Sequence, residues 1–244
     1  MGIEGLNVEA INSKVSRYWS VSVIEETTST QSDLVQQFKP GKVLVAEYQS
    51  AGRGRLDRKF IVPPRKGITF SFCVEATNDF GWIPLLTGLA VAQGINDYLD
   101  SDLVKIKWPN DLLIGEKKLG GILSEKVATG AVVGVGVNIF QTQTELPISD
   151  ATSLTNVVRN MEIDRSELLS RILDRIGEVL ADLGKFKNEY REVCSTIGKF
   201  VRVTLPTGEV IEDLAIGIST DGGLLLKSRE ITVGDTVHLR NIDK

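Results

Sequence analysis

Between two apolar runs the chain reads AGRGRLDRKF, Ala51 to Phe60, with Gly52, Gly54, Arg53, Arg55, Arg58 and the aromatic Phe60. Guanidinium forks hold phosphate or carboxylate oxygens in pairs. The glycines let backbone N–H groups approach a ligand with no Cβ in the way, and Phe60 offers a flat face to a purine. No Gly-Lys-Ser/Thr follows, so this is not a nucleoside-triphosphate P-loop. A solvated basic turn has the same composition, and the loop alone leaves the two readings open. A second cluster lies at Trp108-Pro109-Asn110-Asp111, a carboxylate at a tight turn, followed by Lys118 ahead of Leu119-Gly120-Gly121. An ordinary hairpin with surface lysines would also read this way. In a third, AVVGVGVNIF, Gly134 and Gly136 fall inside a strand and Asn138 is placed to read a base edge. Glycine there marks close approach of a ligand or of another backbone, with tight sheet packing as the plain alternative.

What is missing narrows the chemistry. The one histidine, His238, sits in the alternating stretch TVHLRN. It reads as structural, and no spacing of His, Cys and carboxylates suggests a zinc site. Catalysis by this chain would therefore be electrostatic and positional, and no metal ligands are expected. The 244 residues are 42% hydrophobic with a formal net charge of −4, which argues against a nucleic-acid binder, normally basic over its binding face. Cys73 and Cys194 stand far apart and form no disulfide framework, as expected of a reduced, cytoplasmic protein. The opening MGIEGLNVEA has neither the basic nor the apolar region of a signal peptide. No apolar run approaches the ~20 residues that span a bilayer, so no membrane partner is expected.

These groups need a frame. Alternation or apolar runs predict strands at 21–27, 41–50, 67–75 and 103–115, the last broken by the Pro-Asn-Asp turn, and at 117–127 and 130–140. Thr28 or Ser29 can cap a helix beginning there. Residues 83–99 have helical spacing with Leu85, Leu86, Leu89, Val91, Ala92 and Ile95 largely on one side. Asp164 and Glu167 form a capping box for an amphipathic helix to about 183, and Gly184 predicts a break. From Gly198 short strands alternate with turn signals, as in a small β-barrel or sandwich. The expected boundary is near 196.

Taken in order, STQ (29–31), AEYQSAGRGRLDRKF (46–60), KIKWPNDLLIGEKKLGGILSE (105–125), VGVGVNI (133–139) and ATSL (151–154) resemble the motif series of the biotin protein ligases over nearly the whole chain. The resemblance implies an α+β fold of the class II synthetase-like type. Its catalytic domain, 1–195, would hold a mixed, mainly antiparallel sheet flanked by helices, and 196–244 would form an SH3-like β-barrel. It also implies ATP-dependent attachment of biotin to one lysine of a biotin carboxyl carrier domain of a biotin-dependent carboxylase, through biotinyl-5′-AMP, with Mg2+ entering on ATP. Biotin's carboxylate is already ionised at neutral pH, so the first step needs alignment and charge neutralisation rather than a base.

By similarity, Ser29, Thr30, Gln31 and Gln49, with the backbone from Gly52 through Arg53 and Gly54 to Arg55, hold biotin. Arg53 and Arg55 close over the intermediate, Arg55 as a catalytic residue that holds the phosphate and keeps the adenylate from escaping, with Arg58 and Phe60 beside the adenylate. Lys118 contacts the carboxyl and phosphate, Asp111 orients or deprotonates the acceptor lysine, and Gly121 and Asn138 line the biotin and adenine sites. Phe60 stands where the family usually has tryptophan, Leu56-Asp57 replaces a small or basic pair, and Gln31 stands where asparagine is common. The family is often homodimeric. Some members begin with a winged helix-turn-helix of roughly 60 residues; about 20 residues precede the first strand here, so operator binding is not expected. The competing readings are a lipoate or octanoate ligase on the related fold, a non-catalytic biotin sensor, and a nucleic-acid module built on the basic loop.

Overall fold

In the computed structural model, which describes residues 2–55, 58–158 and 161–239, the expected strands form and their alternation gives the main sheet two different faces. The element order begins α1 (Val8–Lys14), β1 (Ser20–Thr27), α2 (Thr30–Gln36), β2 (Lys42–Gln49), β3 (Gly67–Glu75) and α3 (Trp82–Leu99). It continues β4 (Val104–Lys107), β5 (Asp111–Ile114), β6 (Lys117–Val127), β7 (Gly130–Asn138), α4 (Leu154–Val157), α5 (Arg165–Ala181) and α6 (Leu183–Val193). It ends β8 (Phe200–Thr204), β9 (Val210–Ile218), β10 (Leu224–Leu226), β11 (Glu230–Ile231) and β12 (Asp235–His238). The first seven strands make one sheet in the order β1-β2-β3-β7-β6-β5-β4. Only β1 and β2 run parallel; every other pair in it is antiparallel. The last five make a second, antiparallel sheet, β11-β10-β9-β8-β12.

Register decides what each face does. Phe70 pairs with Val135 and Phe72 with Val133, and all four are nearly inaccessible. They pack with α3 and α5 in the main core. The alternate residues Ser71 and Cys73 point the other way, opposite Gly134 and Val132. There Cys73 and Val132 meet Leu34 of α2. The sheet thus has a helical core face and, beyond α2, a face that side chains leave partly uncovered.

Three local expectations need correction. Helix α3 is not apolar on one side only: Trp82, Ile83 and nearly every residue from Leu85 to Ile95 are buried, because it lies between the sheet and α5 and meets solvent mainly near its C-terminal end, at Asp97. Gly94 permits the close packing, since a Cβ there would stand 2.9 Å from Ile172 Cα. The capping box is half-formed. Asp164 accepts from the N–H groups of Ser166 and Glu167, but the Glu167 carboxylate bonds Lys14 and Arg171 instead of reaching back. The break falls at Asp182, which accepts from Lys185 N–H and starts α6, while Gly184 is inside that helix.

The second sheet is fastened to the first unit through tryptophans. Trp82 Nε1 donates to Thr220 O at 2.6 Å and Trp108 Nε1 to Gly222 O at 3.0 Å. Among the described residues no helix is long and apolar enough to cross a membrane.

Candidate active site

Three glycines clear the floor of the site. On the α2 face, Gly121 of β6 pairs with Gly136 of β7, and Gly134 lies opposite Ser71. A Cβ on Gly136 would stand 2.3 Å from the Phe60 ring, and one on Gly134 2.6 Å from Gln31 Oε1. Over this floor opens a cavity of about 390 Å³, a volume suited to a small-molecule ligand.

One end is neutral and polar. Ser29 caps α2, its Oγ accepting from Ser32 N–H. Gln49 Oε1 accepts from Thr30 N–H at 2.8 Å, and Thr30 Oγ1 lies 2.8 Å from Ser71 Oγ. Gln31 Nε2 donates to Val132 O at 2.9 Å, and its Oε1 accepts from Ser71. Ser29, Thr30 and Gln31 are at most 3% exposed. A buried, pre-linked set of hydroxyls and amides suits a compact uncharged group with both donors and acceptors.

The other end is charged. Lys118 Nζ donates to Asp111 Oδ1, and Lys107 Nζ lies 3.7 Å from Asp111 Oδ2. Burial holds the Lys107 ammonium below its ordinary pKa; Asp111 opposes that shift and Lys118 adds to it. Two cations around one carboxylate leave this end net positive, the arrangement that receives an anion in a partly dry site. Gly121 completes this corner, its Cβ direction 3.5 Å from Lys118 Nζ.

The basic loop forms the wall. Gly54 N–H donates to Arg58 O and Phe60 N–H to Gly52 O, and Arg53 and Lys59 form a bridge. Gly52 does not border the cavity; it allows the loop to close, since a Cβ there would meet Phe60 O at 2.2 Å. Arg53 turns to Glu125 at 2.9 Å. Arg55 donates to Asn110 Oδ1 at 3.1 Å and to Gly234 O at 3.3 Å. Burial lowers its pKa, with Asp111 opposing the shift. Arg58 pairs with Asp235. Leu56 and Asp57 lie outside the described residues. Asn138 borders the cavity, but its amide is engaged, Nδ2 donating to Thr152 O and Oδ1 accepting from Gln141. It thereby supports the wall at 151–153.

Every residue assigned above to biotin or the adenylate except Gly52 borders this one cavity. Sequence reasoning missed Ser71, Lys107 and Asp235, which border it too. The first two were within reach: Ser71 follows from strand alternation opposite Gly134, and Lys107 directly precedes the Trp-Pro-Asn-Asp turn. Asp235 carries no local signal. Among the described residues no group of three or more His, Cys, Asp or Glu is placed to hold a metal ion.

Comparison with known proteins gives the family. Residues 21–139 match the model of the biotin/lipoate A/B protein ligase family. The chain is 34% identical to the biotin–acetyl-CoA-carboxylase ligase of Mycobacterium tuberculosis, over 92% of this chain and 91% of that protein. It is 26% identical to the bifunctional ligase/repressor BirA of Escherichia coli, covering 91% of this chain and 74% of that one. The biotin protein ligase of Aquifex aeolicus, solved in complex with biotin and ATP, superposes with a TM-score of 0.80 at 30% identity, covering 91% of this chain and 99% of that one. With the motif series, the fold and the similarity all in agreement, the chain belongs to the biotin protein ligase family.

Proposed function

We propose that this chain joins biotin to a lysine of a biotin carboxyl carrier domain, and that the cavity over Gly121, Gly134 and Gly136 is where both steps occur. The observation that carries the reading is the polarity of that cavity. A buried neutral end at Ser29, Thr30, Gln31 and Gln49 faces a cationic end at Lys107, Lys118 and Arg55. Biotin has this polarity: a compact neutral ureido ring at one end of an aliphatic chain and a carboxylate at the other.

In the first step a biotin carboxylate oxygen attacks the α-phosphorus of ATP and the bond to the β-phosphate breaks, releasing pyrophosphate. Lys118 and Arg55 stabilise the charge gathered on the carboxylate and the phosphate, and positioning supplies the rest. Phe60 presents its ring beside the adenine. In the second step the acceptor amine attacks the acyl carbon and AMP leaves. As Lys118 turns to the acyl phosphate, Asp111 is left to accept a hydrogen bond from the incoming amine, orienting it and taking up its proton. Mg2+ enters as part of the substrate MgATP, held by phosphate oxygens and water, a usual mode for this ion.

In this reading residues 1–195 form the catalytic domain and 196–244 an accessory β domain, the acceptor is the carrier domain of a carboxylase, and the protein works as a cytoplasmic homodimer. The test is pyrophosphate release with ATP and biotin, repeated with lipoate, then label transfer to a carrier domain. Biotin-dependent release and transfer are expected, and Lys118→Met should cut the first step by about 10²–10³, as loss of one preorganised donor does. Biotin binding without pyrophosphate would leave a sensor instead.

A further inference from the structure

The loop arginines have a partner on the second sheet. Asp235 opens β12, which pairs with β8 through Asp235 and Thr204 and the three pairs that follow. The turn before it is closely packed, since a Cβ on Gly234 would stand 2.7 Å from Val203 Cγ1. The carboxylate therefore sits on framed backbone. Its Oδ2 pairs with Arg58, and its Oδ1 lies 3.8 Å from Arg55, whose guanidinium also donates to Gly234 O at 3.3 Å. The Arg58 side chain is 63% exposed, and its backbone carbonyl accepts from Gly54 N–H at 2.7 Å. Fixing the Arg58 side chain therefore steadies the backbone that holds Gly54.

We propose that Asp235 is a positioning residue for the ligase reaction. It clasps Arg58, so that Arg58 anchors the loop to the second sheet and, of these two arginines, only Arg55 serves the adenylate phosphate. Charge counting supports this division of labour. A carboxylate on the wall of an anion site opposes the ligand unless it is neutralised. Arg58 neutralises Asp235, and the two arginines and one aspartate leave a single positive charge. That leaves the Arg55 charge for the phosphate, beside the net positive group of Lys107, Lys118 and Asp111. Arg55, with the less exposed side chain of the two arginines at 19%, is the one beside Asn110 of the Trp-Pro-Asn-Asp turn. The inference rests on the ligase reading above and departs from the sequence expectation that Arg58 touches the adenylate.

The experiment uses the full chain as wild type, Asp235→Asn, Arg58→Gln, the double variant, and the charge swap Arg58→Asp with Asp235→Arg. Two quantities are read: hydrogen exchange of the loop peptide 51–60 in the ligand-free protein, and the rate at which pre-formed biotinyl-AMP escapes into solution. Each single variant should speed both by about fivefold, the upper range for a partly exposed pair. The double variant should add little, and the swap should restore both. If Arg58→Gln speeds adenylate escape while Asp235→Asn does not, Arg58 contacts the ligand and the clasp is wrong. Unchanged loop exchange in the single variants would sink it equally. If the wild type forms no adenylate, the ligase reading fails, and loop exchange in the ligand-free protein still decides whether the clasp exists.

Discussion

His238 is the one imidazole in the chain, and its surroundings fix its state. Its Nδ1 lies 3.2 Å from Lys199 Nζ, an ammonium that can only donate, so Nδ1 must accept. The proton then belongs on Nε2, which lies 3.1 Å from Thr196 Oγ1 and donates to it. That hydroxyl oxygen also accepts from Trp108 N–H, linking the imidazole to the Trp-Pro-Asn-Asp turn. Burial, with Lys199 and Lys107 nearby, lowers the pKa from 6.5 to about 4. Between those values the unfolded chain binds a proton that the folded chain refuses, so stability falls as pH drops from 6.5 toward 4. The melting temperature should therefore decline from pH 7.5 to pH 5. The decline should be smaller in His238→Gln, whose amide keeps a donor and an acceptor but takes no proton. Equal declines in the two proteins would show that other groups set the acid limit.

At the scale of elements, β7 serves the core with one face and the ligand with the other. Val133, Val135 and Val137 are buried in the main core, while Gly134 and Gly136 leave room on the site face. In Gly136→Ala the new Cβ would stand 2.3 to 2.9 Å from three atoms of the Phe60 ring. Strand β7 is held by β3 and β6 on both sides, so the ring must give way. The fold should persist while the KM for ATP rises about tenfold or more, since a base stacked on an aromatic is worth about 1–3 kcal/mol. Phe60→Ala should cost little more in that background, and an unchanged KM for ATP would remove Phe60 from the adenine site. The strand patterns and the glycine pair were legible in sequence because strand alternation is local. The single-sided expectation for α3 failed because what packs on a helix is set by tertiary neighbours, here the sheet and α5. The loop cations were legible as well. Asp235, their partner, was not, because it lies some 180 positions away and only the docking of the second sheet brings it there.

Across the whole molecule, the least exposed ion pair among the described residues joins the N-terminal segment, the sheet and α5. Arg165 donates to both Glu47 oxygens, at 2.6 and 3.1 Å, and to Gly67 O and Glu4 O. Glu47 Oε1 also accepts from Leu6 N–H at 2.6 Å. Both side chains are only 3% exposed. Such a pair does little for stability relative to well-packed apolar residues, yet losing one member strands a buried charge, at about 3–5 kcal/mol. Glu47→Leu should cost about that much in denaturant unfolding, and Arg165→Met a similar amount, since the carboxylate is then left without its main partner. The double variant should be more stable than either single one, because no charge is left unpaired. Glu47 stands two positions before Gln49 on β2, and Gln49 holds the N-terminus of α2. A loosened Glu47→Leu protein should therefore bind biotin more weakly as well, and the double variant should recover part of that affinity. Strictly additive costs in stability would mean that the two groups are not coupled and that other contacts hold the N-terminal segment.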